Sequence, residues 1–191
     1  MNEEEVRWLK RGCQRAAVAR ALYKPLTVTR IMERARAMAH RIQLRDIWFL
    51  LRQLGEKDLT YCLNPAQPTG KLYFLTAKGR DAIASAFSQA IKPLPERVDW
   101  NRYSLVVRAS VRRLVLEELV RQRLDGARGK TATEIRKSLL ARHPTALNAT
   151  LRALADLRNL RLIRRIDGTR ARSKRYVLTP MGRRIVEEMQ R

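Results

Sequence analysis

Cysteine and histidine are scarce, with two of each in 191 residues. Cys13 and Cys62 have no CxxC neighbour, and with only His40 and His143 to join them no zinc-ligand set of ordinary spacing can be assembled. Both cysteines are expected as small packed side chains, Cys13 on a helix and Cys62 on a strand. Glycine is also sparse, at 8 residues, and no Gly-rich phosphate loop or nucleophile-and-base set accompanies it. Neither an enzyme nor a cofactor is expected. No apolar run approaches the roughly 18 residues that suggest a membrane span, so no membrane partner is expected. The opening Asn2-Glu3-Glu4-Glu5 is acidic where a secretory signal needs positive charge before an apolar stretch, and the expected location is cytoplasmic.

Acidic residues are the largest deficit. Against 41 Lys and Arg stand 18 Asp and Glu, a net charge of +23. Residues 1–95 hold 17 basic and 8 acidic residues, or +9, and residues 96–191 hold 24 and 10, or +14. A folded chain with this excess repels itself, so a polyanionic partner is expected, with nucleic acid first among them. A basic membrane-surface protein fits less well, because no long basic amphipathic helix stands apart from the rest.

What is present is a repeat. Leu51-Arg52-Gln53-Leu54, Leu59 and Lys71-Leu72-Tyr73-Phe74-Leu75-Thr76-Ala77-Lys78-Gly79-Arg80 return as Leu154-Ala155-Asp156-Leu157, Leu162 and Lys174-Arg175-Tyr176-Val177-Leu178-Thr179-Pro180-Met181-Gly182-Arg183, always 103 residues later. Thr27-Val28-Thr29-Arg30-Ile31 answers Thr131-Ala132-Thr133-Glu134-Ile135 at offset 104, and the block from Arg11 answers the block from Arg108 at offset 97. Self-similarity over most of the chain predicts two small domains, 1–95 and 96–191. Units of roughly 90 residues can fold alone.

Within the first copy, apolar residues from Trp8 to Leu22 follow a helical rhythm that stops at Lys24-Pro25. Thr27 or Thr29 caps a second helix to about Met38. The third places Leu44, Ile47, Leu51 and Leu54 on one face, ends near Gly55, and turns Gln43, Arg45, Asp46, Phe49 and Arg52 the other way. A β-hairpin, residues 59–76, closes on a Pro- and Gly-containing loop, and a last helix follows to about Ala90. The second copy repeats the plan: helices from about Ser110 to Leu124, Thr133 to Arg142 and Thr145 to Asn159, a hairpin over 162–178, and a helix from Met181 to Gln190. Residues 99–107 are either an extended lead-in or an early start of the first helix. The fold class is thus mainly α with small β-hairpins (α+β).

Three helices, a hairpin and the close Leu72-Tyr73-Phe74-Leu75-Thr76-Ala77-Lys78-Gly79-Arg80 resemble prokaryotic winged helix-turn-helix transcription regulators, including relatives of the multiple-antibiotic-resistance regulators. Leu63-Asn64-Pro65 leading into Gly70-Lys71-Leu72-Tyr73 is similar to single-domain archaeal and bacterial members, and the second copy matches through Arg175 to Arg183. The resemblance implies two tandem winged-helix domains that bind double-stranded DNA, with the third helix in or near the major groove and the hairpin wing on the backbone. Replication initiators, chromosome-architectural proteins and protein-interaction scaffolds use tandem winged helices too, and they stand as alternatives.

Candidate contacts follow. On the third helix of the second copy, Thr145, Asn148, Ala149 and Arg152 face away from Leu147, Leu151 and Leu154. Asn can pair bidentately with adenine and Arg with guanine. The second wing offers Arg170, Arg172, Lys174 and Arg175 to phosphates. In the first copy the DNA candidates are Gln43, Arg45, Arg52 and Lys71, while Trp48 and Phe49 suggest contact with another module, a second subunit in a homodimer or a protein partner. Arg11 and Arg108, like Arg15 and Arg112, recur at the start of the first helix, for either phosphate contact or an ion pair. Tyr73 and Tyr176 suit packing, and Gly79 and Gly182 a backbone requirement.

Overall fold

The computed structural model describes residues 3–121, 129–141, 143–167 and 174–190. The chain divides into two compact units, Met1–Pro95 and Glu96–Arg191. No helix among the described residues is long and apolar enough to cross a membrane.

The first unit runs α1 (Glu3–Arg11), α2 (Cys13–Ala21), β1 (Leu26–Thr27), α3 (Val28–Arg36), α4 (Leu44–Glu56), β2 (Thr60–Cys62), β3 (Leu72–Leu75) and α5 (Ala77–Phe87). The second runs α6 (Trp100–Val107), α7 (Ser110–Arg121), β4 (Lys130–Thr131), α8 (Ala132–Leu140), α9 (Leu147–Asn159), β5 (Ile163–Asp167), β6 (Lys174–Leu178) and α10 (Pro180–Gln190). Each unit holds an antiparallel sheet of three strands, ordered β1-β3-β2 and β4-β6-β5. Helices α2, α3 and α4 with this sheet, and α7, α8 and α9 with its counterpart, each form a winged helix.

Four expectations change. The single helix expected from Trp8 to Leu22 is two, broken at Gly12, whose extended backbone (φ −112, ψ 97) ends one helix and opens the next. Residues 100–107 form a separate helix, α6, begun by the Asp99 carboxylate accepting from the Arg102 amide at 3.0 Å. Each hairpin gains a third strand of two residues, too short to leave a periodic signal. Cys13 is exposed and Cys62 half-buried rather than packed away.

The helix-to-hairpin junction explains the repeated motif. Helix α4 ends at Glu56, one residue past Gly55. Asp58 takes the left-handed conformation (φ 56), its amide donates to Gly55 at 2.9 Å, and the Leu59 amide reaches back to Leu54 at 2.8 Å. Arg161 (φ 58) ends α9 the same way, with Arg161 donating to Arg158 at 2.8 Å and Leu162 to Leu157 at 2.9 Å. These paired bonds satisfy helix-end carbonyls, and the leucine pairs Leu54/Leu59 and Leu157/Leu162 bury the apolar contact that goes with them.

The threonine and glycine of the motif then start the last helix. Thr76 Oγ1 donates to the Asp58 carbonyl (2.6 Å) and accepts the Gly79 amide (2.9 Å); Thr179 Oγ1 donates to the Arg161 carbonyl (2.8 Å) and accepts the Gly182 amide (3.1 Å). A Cβ on Gly79 would stand 2.0 Å from the Leu59 carbonyl oxygen, and one on Gly182 equally close to that of Leu162. Only glycine lets the helix approach the strand so closely.

Candidate nucleic-acid interface

Helix α9 packs against α7 and α8 and buries Thr150, Ala153, Leu154 and Leu157. This stripe is rotated from the one expected, and Leu147 and Leu151 lie along its solvent edge, 37% and 44% exposed. Asn148 and Arg152 share that side and are exposed. Thr145 does not join them. It precedes the helix, is buried, and its hydroxyl donates to the His143 carbonyl at 3.2 Å, bracing the turn into α9. The helix begins two residues later than expected because Ala146, with extended backbone, is its N-cap.

The hairpin of the second unit adds cations beside that helix in sequence. Arg164 and Arg165 on the edge strand β5 are exposed, as is Lys174 at the start of β6. Arg164 and Arg165 were legible in Leu162-Ile163-Arg164-Arg165-Ile166 but are outshone there by the four cations of the loop. Of those four, Arg170 and Arg172 lie outside the described residues. Arg175 is turned inward: it donates to the Gly129 carbonyl at 2.6 Å and pairs with Glu134 at 3.5 Å. Its place opposite Thr131 in the sheet register puts it over the start of α8.

That start is electrostatically complete. The Thr131 hydroxyl accepts the Glu134 amide at 3.2 Å, and the Glu134 carboxylate accepts the Thr131 amide at 2.7 Å. Acceptance of the Thr131 amide is the main reason the Glu134 carboxyl sits below its usual range; partial burial opposes the shift, and the Thr131 hydroxyl, Arg175 and Lys130 reinforce it. The repeat-equivalent position in the first unit is Arg30, which pairs instead with Glu33 at 2.7 Å.

Helix α4 buries Ile47, Leu50, Leu51 and Leu54, and Leu44, expected inside, is 45% exposed. Leu44 lies on the first turn, within about 20° of buried Leu51 around the helix axis, and its exposure comes from its place at the helix end. Gln43 is exposed before that turn, and its backbone N–H donates to the Asp46 carboxylate at 2.8 Å. Arg45 is 82% exposed beside Asp46, and Arg52 is held by Glu56 at 3.1 Å. Lys71, half-buried on the wing, lines a cleft of about 380 Å³ with Thr27, Thr29, Leu44, Trp48 and Pro68.

Trp48 meets Tyr73 edge to face, ring centres 6.1 Å apart, yet remains 47% exposed, and Phe49 is 59% exposed. Burial, with Cys62 nearby, pushes the Tyr73 phenol up. Tyr73 thus packs as strand residue and platform for Trp48.

The repeated arginines of the first helices divide. Arg15 donates to the Trp8 carbonyl at 2.6 Å and lies over the Trp8 ring at 3.6 Å, and Arg112 pairs with Asp156 of α9 at 3.6 Å. Both support the fold. Arg11 and Arg108 are exposed.

No protein-family model matches the chain, and no curated protein does. Among solved structures, a chain in the crystal structure of Bacillus subtilis PadR in complex with operator DNA is similar at 18% identity and a TM-score of 0.34, over 76% of this chain and 90% of that one.

Proposed function

We propose that the chain is a DNA-binding transcription regulator built from tandem winged helices, akin to the multiple-antibiotic-resistance regulators that its repeated motif resembles, and acting in the cytoplasm on the nucleoid. The observation that carries this is charge set on this fold. The chain bears +23, and the second unit exposes Arg152, Arg158, Arg164, Arg165 and Lys174 on α9 and the hairpin. A helix fits the major groove, where base edges differ in their donors and acceptors. Asn148 and Arg152 face those edges, the hairpin cations neutralise phosphates, and occupancy of the site is the regulatory act. Affinity comes from counterion release and selection from the helix. In the first unit Gln43, Arg45, Arg52 and Lys71 make a weaker contact, with both arginines near carboxylates of their own helix.

A titration of duplex binding against salt tests the proposal. With six or more phosphates neutralised, affinity falls by about 10³ or more between about 50 and 200 mM salt. A flat response removes DNA as the partner.

Exposed Trp48 and Phe49 favour a second role for the first unit, contact with a protein partner or with another copy of the chain. Apolar surface on this helix gains little from phosphates. Alanine at both positions, with association state and DNA affinity measured separately, divides the roles: loss of association with DNA binding intact supports protein contact.

A further inference from the structure

Two leucines of α9 keep part of their apolar surface in solvent, Leu147 at 37% and Leu151 at 44%. Leu147 and Leu151 are one turn apart, so they stand within about 40° of each other around the helix axis. Asn148 and Arg152 form a parallel row beside them on the same exposed face. The first copy repeats the arrangement at the same repeat positions, where Leu44 and Trp48 are 45% and 47% exposed. A protein-binding helix usually presents anchors at i, i+3, i+4 and i+7. Here Thr150 and Leu154, which would complete that set, are buried in the unit's own core, and the apolar strip is a single side chain wide. The residues beside it are an amide and a guanidinium, on a unit of net charge +14.

One feature of duplex DNA matches an apolar strip beside an amide: the thymine C5-methyl group, which projects into the major groove on the same base-pair edge as the adenine N6 and N7 that an Asn amide pairs with. We propose that Leu147 and Leu151 read thymine methyl groups while Asn148 pairs with adenine, so that α9 selects A·T pairs. This rests on the DNA-binding proposal above and adds a specificity to it. Leucine side chains give no hydrogen-bond discrimination, but they distinguish thymine from cytosine and from uracil by the methyl alone.

The experiment starts from duplexes that the full chain selects from random DNA, remade with deoxyuridine in place of thymidine. Only the methyl is lost; hydrogen-bond donors and acceptors in both grooves stay. At about 0.8 kcal/mol per buried methyl-sized group, binding weakens about fourfold for each contacted thymine. The variant L147Q/L151Q keeps good helix formers at exposed sites and is expected to bind thymine and uracil duplexes alike. Equal binding of both duplexes by the unaltered chain overturns the inference while leaving DNA binding in place. Failure of that chain to retain any duplex overturns the DNA-binding proposal and this inference with it. If L147Q/L151Q changes the association state and leaves thymine preference intact, the leucines belong to a protein interface and the inference is overturned.

Discussion

Gly182 lies so close to Leu162 that a Cβ on the glycine would stand 2.0 Å from the leucine carbonyl oxygen. That oxygen already accepts the Thr179 amide at 2.9 Å, so it cannot move aside without breaking the junction between hairpin and α10. Gly182→Ala is expected to destabilise the second unit by about 3 kcal/mol, the upper range for overpacking a closed site. Denaturant unfolding of the variant checks it, and a loss under about 1 kcal/mol would show that the approach relaxes. Gly79→Ala, facing Leu59, is expected to behave alike in the first unit.

The left-handed residue at the end of α9 points the other way. Arg161 carries a Cβ at φ 58, where a glycine is the usual occupant. Arg161→Gly relieves a steric cost of about 1 to 2 kcal/mol and adds chain entropy to the unfolded state worth about 0.5 to 1 kcal/mol. A net stabilisation of up to about 1.5 kcal/mol is expected, read as a higher midpoint of unfolding. Arg161→Val, β-branched, is expected to lower it.

Glu134 ties stability to pH. Its carboxyl sits below its ordinary value when folded, chiefly through the Thr131 amide, so the folded state favours the ionised form. The stabilisation is present above the unfolded-state value near 4.5 and is lost as pH falls through the lower folded value. Glu134→Gln should therefore unfold at a lower temperature than the parent chain at pH 6. The gap should close toward pH 3, and a gap constant over that range would assign the difference to something other than this charge.

Lys174 and Arg175 are neighbours in sequence with opposite expectations. Lys174 is exposed, whereas Arg175 holds Gly129 and Glu134. If the hairpin meets DNA, Lys174→Ala reduces the slope of log affinity against log salt by about 1 with no change in unfolding midpoint. Arg175→Ala lowers that midpoint, since it removes a charge-assisted bond of about 1.5 to 3 kcal/mol. Equal behaviour of the two variants would contradict the division of labour.

Arg152→Ala separates base from backbone contact. Loss of a bidentate pair costs about 1 to 3 kcal/mol of discrimination at one base pair, and relaxed preference there is expected in sites reselected with the variant. Uniform weakening across all sequences would place Arg152 on phosphate.

The repeat made the secondary-structure plan legible because its constraints are local. Thr179 and Gly182 sit three apart wherever a hydroxyl must accept the third amide of a helix, and Leu157 and Leu162 sit five apart wherever a left-handed residue closes one. Net charge is likewise a sum over residues and needs no coordinates. What the sequence could not settle depends on neighbours distant along the chain. Periodicity placed Leu147, Leu151 and Leu154 on one stripe, but the direction and length of the packed face are set by where α7 and α8 lie, and their packing buries Leu154 while leaving the other two partly exposed. Position in a run of cations did not tell Lys174 from Arg175 either; the pairing of β6 with β4, which brings Glu134 beneath one of them, decided it. A two-residue strand such as β1 exists only through its partner. Spacing records which residues move together, and only the tertiary contacts decide which of them face the core.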